Sequence, residues 1–532
     1  MSNLEFNPIE VYNKRQELGI STAVQLLIQI INSQEELSTR KEAIKIIGSI
    51  EKIPDNAKEV CFQTLENVII SEKTIDLKCE AARSMGKIKL KKSIEPLKWI
   101  LENSSDALDA EMEKTVLKAI HNIKFDKPEI DLFIKYLDSD YNATREYVSY
   151  ELLKLPPNEA ITILLESFQT DISNSCKIEL VKLIGKYISS LNISYNDSNY
   201  LKIKHPSILE SISSHKKDFT SLLSLIDKKD KELIKRILAI FRLLGDEINS
   251  ELIELVKDED FIAKENAIYL IGKLKIKSAM RLLLENIDNM YSEISIASIK
   301  ALADIGDASI IPELLKSLDV EDIDFEYIDM DMKWYIIDTI KQIYLQDNNI
   351  NYDTLLSQLS HPNEILKESI TYILGELGNK EFVDPLLALL KRKENIDVKK
   401  NAIIALGKIG GPEAIEPLIT YAENPKVYWL LKKIVIDAVL NIYKDNWYKI
   451  HSNEEIRRLL TKNRERLSDY LKEHNNECYK IKLGIIKFLE KFGGKTAIDA
   501  LFANVNDFHR IVQISAQNAI KAISERLEGS QN

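Results

Sequence analysis

Between residues 397 and 422, apolar side chains recur at steps of three and four instead of alternating. Val398, Ala402, Ala405, Leu406 and Ile409 fall on one face of a helix, and Ile415, Leu418, Ile419 and Ala422 on one face of a second. That spacing is the mark of an amphipathic α-helix with a single buried stripe. Gly410, Gly411 and Pro412 part the two helices. Glycine accepts left-handed torsions, and proline is tolerated only in the first turn of whatever follows. Pro417 stands near the start of the second helix, where its missing N–H costs least.

The same pattern is written elsewhere in step. Gly375, Gly378, Pro385 and Leu386 map onto Gly407, Gly410, Pro417 and Leu418, and Gly86, Ile88, Ile94, Pro96 and Leu97 form a third copy. Weaker copies carry Gly272 with Leu282 in the proline slot, and Gly306 with Pro312. Degenerate ones follow Gly48, Gly185, Gly245 and Gly484, and around 113–137 and 144–168 the apolar pattern persists without the glycine. A pair of ten-residue helices cannot bury its faces alone, so stacking on neighbours must supply the core. Small residues such as Ala402 and Ala405 would let adjacent helices approach closely. The expected fold is all-α: an α-solenoid of antiparallel helix pairs, forming one elongated arc without strands. It would cover 20–528, between a lead-in at 1–19 and a tail at 529–532. Units of this size would give about thirteen or fourteen pairs.

Three stretches break the rhythm, at about 189–216, 319–333 and 442–476. The first, rich in Ser, Asn and Tyr, reads as a long surface loop, the usual place for a binding insertion. In the second, seven acids fall within 319–331 with no base. Asp329 and Asp331 lack the glycine and terminal glutamate of a calcium loop, which leaves a solvated linker or a contact for a basic partner. The third predicts a helix with Ser452 and Glu455 as a capping box and Ile456, Leu459, Leu460, Leu467 and Leu471 as its stripe. Its other side is basic, through Arg457, Arg458, Lys462, Arg464 and Arg466. Arg457, Arg458, Lys462 and Arg464 are therefore candidate phosphate contacts, although no nucleic-acid motif accompanies them. The glycines of KFGGKTAID lack the spacing and preceding strand of a phosphate loop.

Charge narrows the partner class. Lys and Arg total 72 against 83 Asp and Glu, a formal charge of −11. Broad attraction to nucleic acid or to an anionic membrane is therefore not expected, though a local basic strip could act. No run approaches a membrane span, and the start lacks the apolar core of a secretory signal. Cys61, Cys79, Cys176 and Cys478 are scattered with no CxxC pair, which suggests buried thiols in a reducing, cytoplasmic setting. Nothing in the spacing calls for a metal or a cofactor, and no catalytic triad can be drawn from it.

The units of 81–101, 296–318 and 369–422, of the form A-x-x-x-L-G-x-x-G followed by A-(V/I)-x-P-L-x-x-x-L, resemble the HEAT-like repeats named after phycobilisome lyases. The resemblance implies a curved solenoid with second helices along its concave face. It is specific for architecture and poor for activity, because such repeats serve scaffolds, lyases and hydroxylases alike. The related deoxyhypusine hydroxylases hold two irons with His-Glu pairs. Here none of His121, His205, His215, His361, His451, His474 and His509 precedes a glutamate, and His361 suits a turn or a cap. No Cys or His constellation marks tetrapyrrole chemistry. Trp99, Trp334, Trp429 and Trp447 are explained equally well by helical stripes as by the cleft of a HEAT-like DNA glycosylase. The same alignment puts Glu95, Lys98, Glu313, Lys316, Asp384, Glu416 and Thr420 off the buried stripes of second helices, hence on the concave side. The expectation is a non-catalytic scaffold binding a protein or peptide along that strip, with a basic segment suited to the acids around 313–331. A lyase or chaperone for a prosthetic group and a nucleic-acid binder using helix 455–472 are the alternatives.

Overall fold

Glycine sets the spacing of the stack. In the computed structural model, a Cβ built on Gly407 would lie 2.9 Å from the Cα of Ala438, and one on Gly375 2.9 Å from that of Ala405. Gly86 meets Ala119 at 2.8 Å and Gly272 meets Ala301 at 2.7 Å in the same way. Each glycine is a notch that receives the backbone of the next first helix. The alanine opposite completes the close approach. At Gly48 the neighbour is Ser84, whose hydroxyl donates to the Ile44 carbonyl at 2.8 Å.

The structure describes residues 7–33, 35–103, 109–170, 172–191, 206–319, 330–347, 350–474 and 477–529. The fold is an α-solenoid, and among the described residues there is no strand. The chain divides into two compact units, Met1–Leu270 and Ile271–Asn532. Within the first, Leu37–Ile47 is followed by Asp55–Ser71, Ile75–Ile88 by Ile94–Asn103, and Ala110–Ile123 by Lys127–Lys135. The second unit repeats the scheme with Ser292–Ile305 and Ile311–Ser317, then Glu364–Leu377 and Val383–Lys391, then Ile396–Ile409 and Ile415–Glu423. It continues through Trp429–Asp445, Glu454–Glu473, Tyr479–Phe492, Lys495–Phe502 and Arg510–Gly529.

The pair at 397–422 takes the form its pattern predicts. Val398, Ala402, Ala405, Leu406, Ile415, Leu418 and Ile419 are buried. Gly410 ends the first helix with φ +73°, and Pro412 opens a short 3-10 turn, Pro412–Ala414, ahead of the second. In the copy at 81–101 the left-handed slot is filled by Lys89, at φ 58°. A side chain there costs about 1 kcal/mol, so Lys89→Gly is expected to raise stability by about that much, read from the denaturant midpoint.

Two expectations need correction. Gly484 is no notch: its Cβ would meet the Cγ2 of Ile436 at 3.3 Å, a side chain of the preceding repeat, because 484 sits out of phase with Gly407. In 442–476 the expected Ser452–Glu455 capping box is absent, and the stretch holds a long second helix, Glu454–Glu473, 20 residues against 9 for Ile415–Glu423. Its cap is Asn453, whose side chain accepts the N–H groups of Glu455 at 2.9 Å and Ile456 at 3.2 Å. Ser452 instead ends the short helix Trp447–Ser452, so no capping box forms. Of the other two breaks, 192–205 and 320–329 lie outside the described residues.

Candidate functional site

The long helix Glu454–Glu473 touches Lys495–Phe502 closely but stands off from Ile415–Glu423 on its other side. The space left between them is a narrow cleft, partly open to solvent. Val435, Ile436 and Val439 of Trp429–Asp445, with Ile481 and Ile485 of Tyr479–Phe492, give it an aliphatic floor. Ile419 and Ala422 form one wall, and Leu467 and Tyr470 the other.

Charged side chains bridge the two walls. Glu416 accepts from Lys462 at 3.1 Å and from Arg466 at 2.9 Å, and the Arg466 Nε donates to Glu423 at 2.9 Å. Arg466 also engages the second oxygen of Glu423, so that pair is a two-pronged one. Deeper in, Lys432 is only 7% exposed, and its ammonium donates to the Tyr470 hydroxyl at 3.1 Å and lies 3.6 Å from Glu477. The Tyr470 hydroxyl donates in turn to Glu477. Burial alone would raise the Glu477 carboxyl, but hydrogen bonds from Tyr470 and the Cys478 N–H, with the Lys432 charge, hold it below its ordinary value. Burial and the bond to Glu477 push the Tyr470 hydroxyl up. The rim is thus charged but locally neutralised. An aliphatic floor under such a rim can desolvate an apolar side chain while leaving polar groups for a peptide backbone.

The sequence candidates scatter around this feature. Glu416, Thr420 and Lys462 flank the cleft, the Arg466 guanidinium lying 3.4 Å from the Thr420 hydroxyl. The strip and the basic helix were expected to be separate surfaces, and here they are ion-paired with each other. Arg458 is bound to Glu454 of its own helix at 2.6 Å, and Arg457 donates to the Ile450 carbonyl at 3.4 Å. Arg464 is half-buried and its Nε has no acceptor. Burial, then the nearby Arg526, lower its pKa against the opposing pull of Tyr443. Asp384, Glu313 and Lys316 are exposed on Val383–Lys391 and Ile311–Ser317. Glu95 and Lys98 lie in the first unit, Lys98 being 3.6 Å from Glu129. Sequence reasoning missed Lys432, Tyr470 and the floor residues. Lys432 within WLLKKIVIDAV is indistinguishable, by spacing, from a solvated lysine.

Elsewhere the side chains read as structural. His361 accepts the Asn363 N–H at 3.2 Å, the turn role expected of it. Burial pushes the Cys61 and Cys79 thiols up to about 11 and Cys176 to about 12, away from thiolate chemistry. Among the described residues no three His, Cys, Asp or Glu side chains converge as metal ligands. Nor is any described helix long and apolar enough to cross a membrane.

Arg466→Ala is expected to cost about 1 kcal/mol, since it removes the two-pronged pair with Glu423 and leaves Glu416 only Lys462, and the loss should shrink in high salt. Thermal melts at low and high ionic strength would measure both. Glu416→Lys is a poor probe of partner charge, because it would set a third cation against Lys462 and Arg466.

Comparison with known proteins agrees with the repeat reading. A family model described as HEAT repeats matches residues 352–438, so the chain contains HEAT repeats there. Among curated proteins none matches. The structure of Kap121p bound to Nup53p is similar at 14% identity and TM-score 0.42, over 94% of this chain and 57% of that one. Kap121p bound to Ste12p gives 15% and 0.42 over 98% and 57%, and importin beta in an ammonium sulfate condition 10% and 0.38 over 98% and 75%. This chain therefore spans 57% of the Kap121p length. Likenesses so distant say nothing of what it binds.

Proposed function

We propose that the protein is a HEAT-repeat scaffold that binds a protein or peptide segment on its second-helix layer, with the cleft beside Ala422 and Leu467 as the anchor point. The observation that carries this reading is the narrow apolar cleft between Ile415–Glu423 and Glu454–Glu473. Solenoids present extended faces of this sort, and a single well-desolvated anchor commonly supplies most of the binding energy. Glu313 and Asp384, exposed on other second helices of this unit, and Thr420, exposed beside the cleft, would lie under the flanking parts of the segment. The phycobilisome-lyase kind of repeat remains an implication of 81–101, 296–318 and 369–422, and no feature of the cleft favours a lyase or prosthetic-group role.

A photo-crosslinking amino acid at position 422 tests the reading against one at position 404, where Ile404 is 39% exposed on a first helix. Irradiation in lysate is expected to yield discrete adducts from 422 and not from 404. Equal labelling from both positions would contradict an anchor in the cleft.

A further inference from the structure

Along the edge where three successive first helices begin, aromatic rings and one lysine form a continuous row. Tyr428 and Trp429 lie 5.6 Å apart at the start of Trp429–Asp445. The Lys480 ammonium sits 5.1 Å from the Trp429 ring and 6.0 Å from the ring of Tyr479, the first residue of Tyr479–Phe492. Tyr479 stacks on His509 at 4.7 Å and 23°, and His509 meets Phe508 edge-on at 5.5 Å, just ahead of Arg510–Gly529. The ends of the row are open to solvent, Tyr428 being 47% and Phe508 96% exposed, while Trp429 and Tyr479 are half-buried.

Packing does not require these residues. A solenoid core is built from the stripes that face neighbouring helices, whereas these positions precede or open the helices. Rings held by one another and by a shared cation are fixed in place, so a ligand stacking on them orders little on the protein side.

We infer that this row is a docking site for a proline-rich segment carrying an acidic residue. Proline-rich chains hold an extended left-handed helix that repeats every three residues, about 9 Å, and dock on aromatic ridges. Trp429 and Tyr479, at 5.1 and 6.0 Å from one ammonium, offer two platforms either side of it. Lys480 between them is exposed and, among the described residues, has no carboxylate within ion-pair distance, so a ligand Asp or Glu between the prolines would meet it. Of the neighbouring cations, Lys482 is paired with Asp507 at 2.6 Å and Lys432 with Glu477 at 3.6 Å. The formal charge of −11 opposes a backbone with a phosphate at every residue more than a peptide with one acid among its prolines, which favours the peptide over a single-stranded nucleic acid. The row lies apart from the cleft lining and does not depend on the anchor proposed above.

The test is fluorescence anisotropy with a labelled peptide of Pro-Pro-Glu-Pro repeats. Saturable binding to the full chain is expected, weakened at least about tenfold by Trp429→Ala and by Tyr479→Ala. Lys480→Glu should weaken this peptide and strengthen its Pro-Pro-Lys-Pro counterpart, a reversal that misfolding cannot produce. Circular dichroism melts would confirm that each variant is folded. No saturable binding to either peptide, or binding indifferent to Trp429→Ala and Lys480→Glu, would overturn the inference. So would tighter binding of an oligouridine lost in the same variants. Ala422→Trp, which fills the cleft, should leave the peptide affinity unchanged.

Discussion

Lys482→Met is expected to destabilise the second unit by about 3–5 kcal/mol, because it strands a buried carboxylate. The Lys482 and Asp507 side chains are 5% and 7% exposed, and their ion pair of 2.6 Å ties the loop before Arg510–Gly529 to Tyr479–Phe492. Burial would by itself raise the Asp507 carboxyl, but the bond from Lys482, the His509 N–H and the Lys482 charge together hold it below its ordinary value. A carboxyl with a depressed folded pKa lends stability that is complete above the unfolded value and lost as pH falls through the folded one. Wild-type stability should therefore decline on acidification through the carboxylate range. The part of that decline due to Asp507 should be absent in Lys482→Met. Denaturant titrations at a series of pH values measure both effects.

The glycine notch gives the second large effect. In an open helix Gly→Ala gains about 1 kcal/mol. At Gly407 the added carbon would press on the Cα and Cβ of Ala438, both at 2.9 Å, and backbone cannot step aside as a side-chain tip can. Gly407→Val is expected to cost about 3 kcal/mol and Gly407→Ala to lose stability despite its better propensity. Gly484→Ala faces only the Ile436 side chain at 3.3 Å and should lie within about 1 kcal/mol of wild type. Equal losses at the two glycines would show that they hold the same kind of position, contrary to the packing seen here.

These cases show what the sequence makes legible. The period of three and four fixes which face of 397–422 is buried, because burial of a helix face is a one-dimensional pattern. The alignment of Gly375 with Gly407 marks the notch, yet only the packed helices reveal that the glycine serves a neighbour's backbone and not a turn. The cleft was beyond reach for a related reason. It exists because Glu454–Glu473 is longer than its neighbours and stands off from Ile415–Glu423, a distance no local pattern encodes. Lys462 and Arg466 read as a free basic face until Glu416 and Glu423, some forty residues earlier, are brought opposite. The row from Tyr428 to Phe508 was hidden likewise, since its members come from three helices.

The cleft as a binding anchor is tested most directly by equilibrium binding with and without its free volume. Peptides enriched from a random dodecapeptide library on the immobilised protein would be labelled and titrated against wild type and Ala422→Trp. The account predicts enriched sequences sharing one bulky apolar residue, which bind wild type and weaken at least about tenfold on Ala422→Trp. They should bind normally to Trp99→Ala, which removes an exposed aromatic in the first unit. Enriched peptides that bind wild type and Ala422→Trp with equal affinity would contradict it.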